Sequence, residues 1–157
     1  MTEKKNPEKI SQELAKLINR YNNLVKSKTR KEMEDLSEAN VRADFIDPLF
    51  EILGWSIYDP DEYDRENYVR KVGFADIALK LEGKPQVFVE AKRFGGIPHI
   101  QKRGNADWTI EERQVILYSA SSNIKWAVLT NFEKFRVFNA LTGLTILDIE
   151  SILTLSD

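Results

Sequence analysis

Three residues in the middle of the chain could do chemistry together: Asp76 in GFADIAL, and Glu90 and Lys92 in QVFVEAKRF. Side chains alternate along an extended strand, so Phe88, Glu90 and Lys92 share one face while Val87, Val89 and Ala91 share the other. On the preceding segment Phe74, Asp76, Ala78 and Lys80 share a face in the same way. Two neighbouring apolar segments are each interrupted by an acid, and burying an unpaired charge is costly. If a hairpin brings Asp76 beside Glu90, the carboxylates repel and need a cation between them. Two carboxylates with open positions for water and phosphate oxygens suit Mg²⁺, a hard ion that keeps several waters. Lys92, on the face of Glu90, would then stabilise charge developing on a phosphorane, or help to orient and deprotonate an attacking water. The plainer alternative is a surface Glu-x-Lys ion pair of little energetic weight.

A third element lies downstream. Gln114 and Tyr118 are four residues apart in EERQVILYSAS, so on a helix they project from one face. Without the acids, Tyr118 would read as a core aromatic and Gln114 as a boundary residue.

The elements that must position these residues follow from periodicity. From Pro7 to about Glu34, apolar residues at Ile10, Leu14, Leu17, Ile18, Tyr21, Leu24 and Val25 fall at helical spacing. Residues 1–36 therefore form an amphipathic helical extension, and 37–157 the main domain. A second helix begins at the N-cap Ser37, carries Val41, Phe45, Leu49, Ile52 and Leu53, and stops at Gly54, with a kink or restart at Pro48. Beyond it the period changes to two, predicting strands over Trp55–Tyr58, Tyr68–Val72, Phe74–Leu81, Gln86–Lys92, Lys125–Leu129, Phe135–Asn139 and Thr145–Ile149. The turns EGKP and NFEK predict antiparallel hairpins. The acidic stretch YDPDEYDREN is expected to be a solvated loop. FGGIPHIQKRGNAD is a second loop, followed by a helix from about Trp108 to Ser121. This order predicts an α/β (α+β) fold, a mixed central sheet flanked by helices.

Composition narrows the classes. The chain has 157 residues, enough for one domain with a real core, and no cysteine, so neither disulfides nor a thiolate zinc site is available and a cytoplasmic setting fits. No stretch approaches the length of a membrane span. The net charge of −2 gives no molecule-wide positive field, so any nucleic acid must be met by a local patch. A G-x-x-x-x-G-K-[ST] phosphate loop is missing, which excludes an ATP-driven translocase within this sequence.

Taken together, GFADIAL, QVFVEAK and RQVILY resemble the PD-(D/E)XK nuclease superfamily, and more closely the N-terminal endonuclease domain of type I restriction-enzyme R subunits and type IIG restriction-modification enzymes. The resemblance runs from about Ser37 to Asn139 and implies a restriction-endonuclease-like core. SEANVRADFIDPLFEILGW is similar to the family's first helix, with Glu38 in the place of its carboxylate. ADIAL matches the strand of the metal-binding aspartate, with Ala75 where the signature has proline. VEAK matches the E-x-K step. The resemblance implies Asp76, Glu90 and the Ala91 backbone carbonyl as metal ligands, with Glu38 as a further one, and Lys92 as the catalytic lysine. It implies that Gln114 and Tyr118, matching Q-x-x-x-Y, support the site and contact nucleic acid. WAVLTNFEKFRVFNA is similar to the strand pair that follows.

The implied reaction is hydrolysis of a DNA phosphodiester with Mg²⁺, or Mn²⁺ in its place, on double-stranded DNA. Arg93, Lys102, Arg103, Arg113 and Gln114 are the expected DNA contacts, with Arg70, Lys71, His99 and Trp108 near them in sequence; Lys and Arg on phosphates position a duplex without reading it. Further domains or subunits for methylation, sequence recognition and translocation are implied, and the ending LTLSD suits an excised domain. The rival expectations are a catalytically silent DNA-binding or scaffold module of the same fold, and a repair or transposition nuclease.

Overall fold

The computed structural model describes residues 5–69, 73–97 and 108–153. Six strands form one sheet in the order β1-β2-β3-β4-β5-β6: β1 Tyr63–Val69, β2 Gly73–Leu81, β3 Lys84–Ala91, β4 Trp126–Thr130, β5 Phe135–Asn139 and β6 Leu144–Ile149. Every neighbouring pair is antiparallel except β3 and β4, which are parallel and joined through helix α5, Ile110–Ser121. A parallel pair needs such a crossover, because no tight turn can reverse the chain twice. The protein is thus a mixed α/β fold with a mostly antiparallel sheet and helices on its faces.

Alternation along the strands builds two cores. Ile77, Leu79, Val89 and Val128 pack with Leu17, Tyr21, Phe45, Leu49 and Phe50 from the N-terminal helices. Ala78, Phe88, Ala127, Leu129 and Phe138 pack with Val115, Ile116 and Tyr118 of α5. Phe88 therefore faces α5, and Glu90, two residues on, shares that face.

Four of the expected elements need correction. The long first helix is two: α1, Pro7–Ser27, and α2, Arg30–Glu34. Thr29 accepts the Glu32 N–H, while Glu32 reaches back to the Thr29 N–H, a reciprocal cap that starts a new helix. Trp55–Tyr58 is a turn, not a strand, and Tyr58 is 84% exposed. The acidic stretch holds most of β1 and is not merely a solvated loop. Tyr63 is buried and gives its hydroxyl to Asp47 at 2.5 Å, while Arg65 reaches the other oxygen of Asp47 at 3.1 Å. Those partners and the pairing with β2 outweigh the polar composition, which an edge strand tolerates. The expected strand Tyr68–Val72 is accordingly the end of β1, and its last residues lie outside the described ones.

The break expected at Pro48 has a specific form. Helix α3, Glu38–Val41, is capped by Ser37, whose hydroxyl accepts the Asn40 N–H; it widens into a π-helical turn over Arg42–Ile46 and continues as α4, Asp47–Ile52. Proline has no N–H to give the Asp44 carbonyl, and its ring crowds that carbonyl. The Asp47 N–H therefore reaches back five residues to Arg42, and the Asp44 carbonyl accepts instead from Arg20 of α1. At the other end Gly54 takes φ +108°, a left-handed stop that favours glycine.

Candidate active site

The β2–β3 hairpin turns at Glu82 and Gly83, both with positive φ, the geometry that matches strand twist. That turn sets the register. Ile77 stands opposite Val89, so one step further along each strand come Asp76 and Glu90. Asp76 Oδ2 accepts the Ala91 N–H at 2.8 Å, which fastens the carboxylate against β3. Burial and the charge of Glu90 overcome that stabilising bond and push Asp76 up to about 7, with Glu38 adding to the effect. The two acids are held together against their repulsion.

Glu90 is buried and has a donor on each oxygen. Lys92 Nζ lies 2.9 Å from Oε1, and the Tyr118 hydroxyl donates to Oε2 at 2.5 Å. Burial, and after it the charge of Glu90, hold the Tyr118 hydroxyl far above its ordinary value, so it remains a donor. Burial pulls Lys92 down, but Glu90, Glu38 and Asp76 more than compensate and hold it above the usual lysine value. Lys92 is an ammonium at neutral pH, which suits charge stabilisation better than proton removal from water.

Lys92 is fixed from behind as well. Its N–H donates to the Thr130 carbonyl at 2.9 Å, extending the β3–β4 ladder one residue. Phe94 is fully buried among Tyr21 and Phe45, with ring centroids 5.8 and 5.7 Å away. Lys134 Nζ then holds the Ile97 carbonyl at 3.2 Å, so the chain leaving the acids is pinned at three points.

Glu38, the first residue of α3, belongs to the same electrostatic group. Burial raises its carboxyl, Lys92 opposes, and Glu90 adds to the rise. Gln114 is exposed on α5 and forms no hydrogen bond to Asp76, Glu90 or Lys92. The spacing that puts Gln114 and Tyr118 on one helical face thus gives them different environments. Arg93 and Arg113 are exposed; Arg70, Lys71, His99, Lys102 and Arg103 lie outside the described residues. Among the described residues no group of three or more His, Cys, Asp or Glu is arranged to hold a metal ion, and no helix is long and apolar enough to cross a membrane.

Two charged residues at this site are absent from the sequence reading. Arg42, one turn after Glu38, gives Nη1 to Glu66 Oε1 at 2.9 Å. Burial lowers the guanidinium, but Glu66, Asp76 and Asp47 together hold it above its ordinary value. The i, i+4 spacing of Glu38 and Arg42 behind a Ser cap is the signal that could have found it. Glu66 offered none, because its stretch reads as a loop.

Comparison with protein-family models, with curated proteins and with solved structures gives no match.

Proposed function

We propose that this chain is a Mg²⁺-dependent DNA endonuclease domain of PD-(D/E)XK type, with a restriction-endonuclease-like core, from a cytoplasmic type I or type IIG restriction-modification enzyme. One observation carries the reading: two acids on adjacent strands, Asp76 and Glu90, are forced together in a half-buried site with an ammonium and a phenol on Glu90. A purely structural acid pair would gain stability by exchange for apolar residues. The oxygen donors are of the type a hard divalent cation takes: Asp76 and Glu90 would hold it, with the Ala91 carbonyl and Glu38 as further donors.

When bound, that ion supplies neutralisation of phosphate oxygens and a more acidic water. The chain's own residues do the rest. Asp76, pinned by the Ala91 N–H, keeps its second oxygen for the cation or water. Lys92, kept protonated by the three acids, faces charge that develops on the phosphorus oxygens as water attacks in line and the 3′ oxygen leaves. Tyr118 locks the rotamer of Glu90, so the carboxylate need not reorganise during the reaction. Arg93, Arg113 and Gln114 are open to phosphate contacts, with Lys102 and Arg103 in the loop between them.

The test is nicking of supercoiled plasmid with Mg²⁺ or Mn²⁺ at high protein concentration, beside Asp76→Ala and Lys92→Ala. The parent should nick weakly and with little sequence preference, since recognition and translocation would come from other domains or subunits. Both variants should be inactive. Equal behaviour of all three proteins would leave a silent DNA-binding module as the better reading, and strong site-specific cleavage by the parent alone would contradict the dependence on partners.

A further inference from the structure

The β1–β2 ladder opens at a single position. Arg65 pairs with Ile77 and Asn67 with Ala75, while Glu66 and Asp76, the residues between them, are unpaired. Glu66 there takes φ +57°, a left-handed conformation that is uncommon and unfavourable for a residue with a side chain. In a regular strand Glu66 would share a face with its cross-strand neighbour Asp76, adding a third acid to the rung that already brings Asp76 beside Glu90. Instead its carboxylate meets Arg42 at 2.9 Å. Arg42 begins the π-helical turn forced by Pro48, and π turns recur at functional positions.

The pair is unequal. The Arg42 side chain is 19% exposed and that of Glu66 is 56% exposed. Arg42 therefore stays in place against the fold while Glu66 stands at the solvent side. Asp47, the other acid near this turn, is already occupied by Tyr63 and Arg65 and cannot compete. Among the described residues the guanidinium hydrogen-bonds to Glu66 alone, through one nitrogen of its planar fork of donors. Such a fork matches a phosphate as well as a carboxylate.

We propose that Arg42 is the phosphate anchor of this site, and that Glu66 occupies its guanidinium until a backbone phosphate of double-stranded DNA displaces it. This rests on the nuclease proposal and adds to it the residue that seats the strand beside Asp76. The strained backbone at Glu66 keeps the third acid off the cation position and parks it on the anchor. With its acid partner in solvent, the ion pair is weak enough to exchange.

The experiment is binding of a short fluorescein-labelled duplex to the full chain in Ca²⁺, by anisotropy, over about 50 to about 200 mM salt. Arg42→Ala should weaken binding about tenfold and reduce the salt slope by about one, the signature of one lost phosphate contact. Arg42→Lys should restore the slope but only part of the affinity, because an ammonium lacks the fork. Glu66→Gln, which leaves Arg42 and its surroundings intact, should tighten binding severalfold. If Glu66→Gln weakens binding or leaves it unchanged, Glu66 is no placeholder and the proposal falls, even if Arg42→Ala does not fold. If the Arg42 variants bind with the parent's slope while the parent nicks plasmid, this proposal fails and the nuclease reading stands. If the parent neither binds duplex nor nicks it, both fail.

Discussion

The Tyr118 hydroxyl donates to Glu90 Oε2 at 2.5 Å, tying α5 to β3 across 28 residues of sequence. Both groups are buried, so neither finds water when the other is removed. Tyr118→Phe should cost about 1–3 kcal/mol of stability, the penalty of an unsatisfied buried acceptor, measurable by urea unfolding. It should also lower plasmid nicking by at least about tenfold, since the freed carboxylate can rotate. Wild-type nicking by a destabilised Tyr118→Phe protein would show that the bond serves the fold alone.

Asp76 makes the metal-free protein sensitive to pH. Its carboxyl rises from 3.8 to about 7 on folding, first through burial and then through Glu90. A raised carboxyl favours folding only while it is protonated: the stability is fully present below about pH 4 and is lost as pH rises through 7. The shift bounds the loss at about 4 kcal/mol, and solvent access to the partly open site reduces it. In EDTA, Asp76→Asn should therefore exceed the parent in urea stability at pH 8, and the advantage should shrink toward pH 5. An equal difference at both pH values would show that the charge on Asp76 carries no penalty.

The same repulsion predicts stabilisation by a divalent cation. Mg²⁺ or Mn²⁺ at about 100 times its dissociation constant should add about 2.7 kcal/mol at pH 8, seen as a rise in Tm. Asp76→Asn and Glu90→Gln should abolish that rise while remaining folded. A rise that persists in both variants would place the ion elsewhere.

Glu133 ties the turn between β4 and β5 to the N-terminal helices. It accepts from the Tyr21 hydroxyl and, through both oxygens, from Arg30, at 2.7 and 3.0 Å. Glu133→Ala leaves a buried phenol without its acceptor and removes the ion pair to Arg30 of α2, and should cost about 2 kcal/mol in urea unfolding. The raised hydroxyl of Tyr21, which burial and then Glu133 account for, should fall toward its ordinary value, as followed by ultraviolet titration. No change in either measurement would mean that Arg30 and Tyr21 find equivalent partners.

The parts whose physics is local were legible in the chain alone. Alternation of apolar and polar residues placed β2, β3, β4, β5 and β6 to within a few residues and put Glu90 and Lys92 on one face. Ser37 marked a cap, and Pro48 a break. Two elements were missed for different reasons. The reciprocal cap of Thr29 and Glu32 lies in the polar run after Val25, where a T-x-x-E spacing was the signal of a new helix, and β1 lacks the apolar alternation that announces a strand, because Asp47 and the edge of β2 supply its partners.

What the charges meet follows from the way distant elements pack. The register of the β2–β3 hairpin brings Asp76 to Glu90, and the α5 crossover delivers Tyr118 to the same carboxylate while leaving Gln114 in solvent. The left-handed turn at Glu66 and the π turn at Arg42 belong to elements separated by the whole of α4, so no local pattern relates them. Periodicity fixes the direction of a side chain relative to its own backbone; its partner depends on how strands pair and where the intervening chain returns.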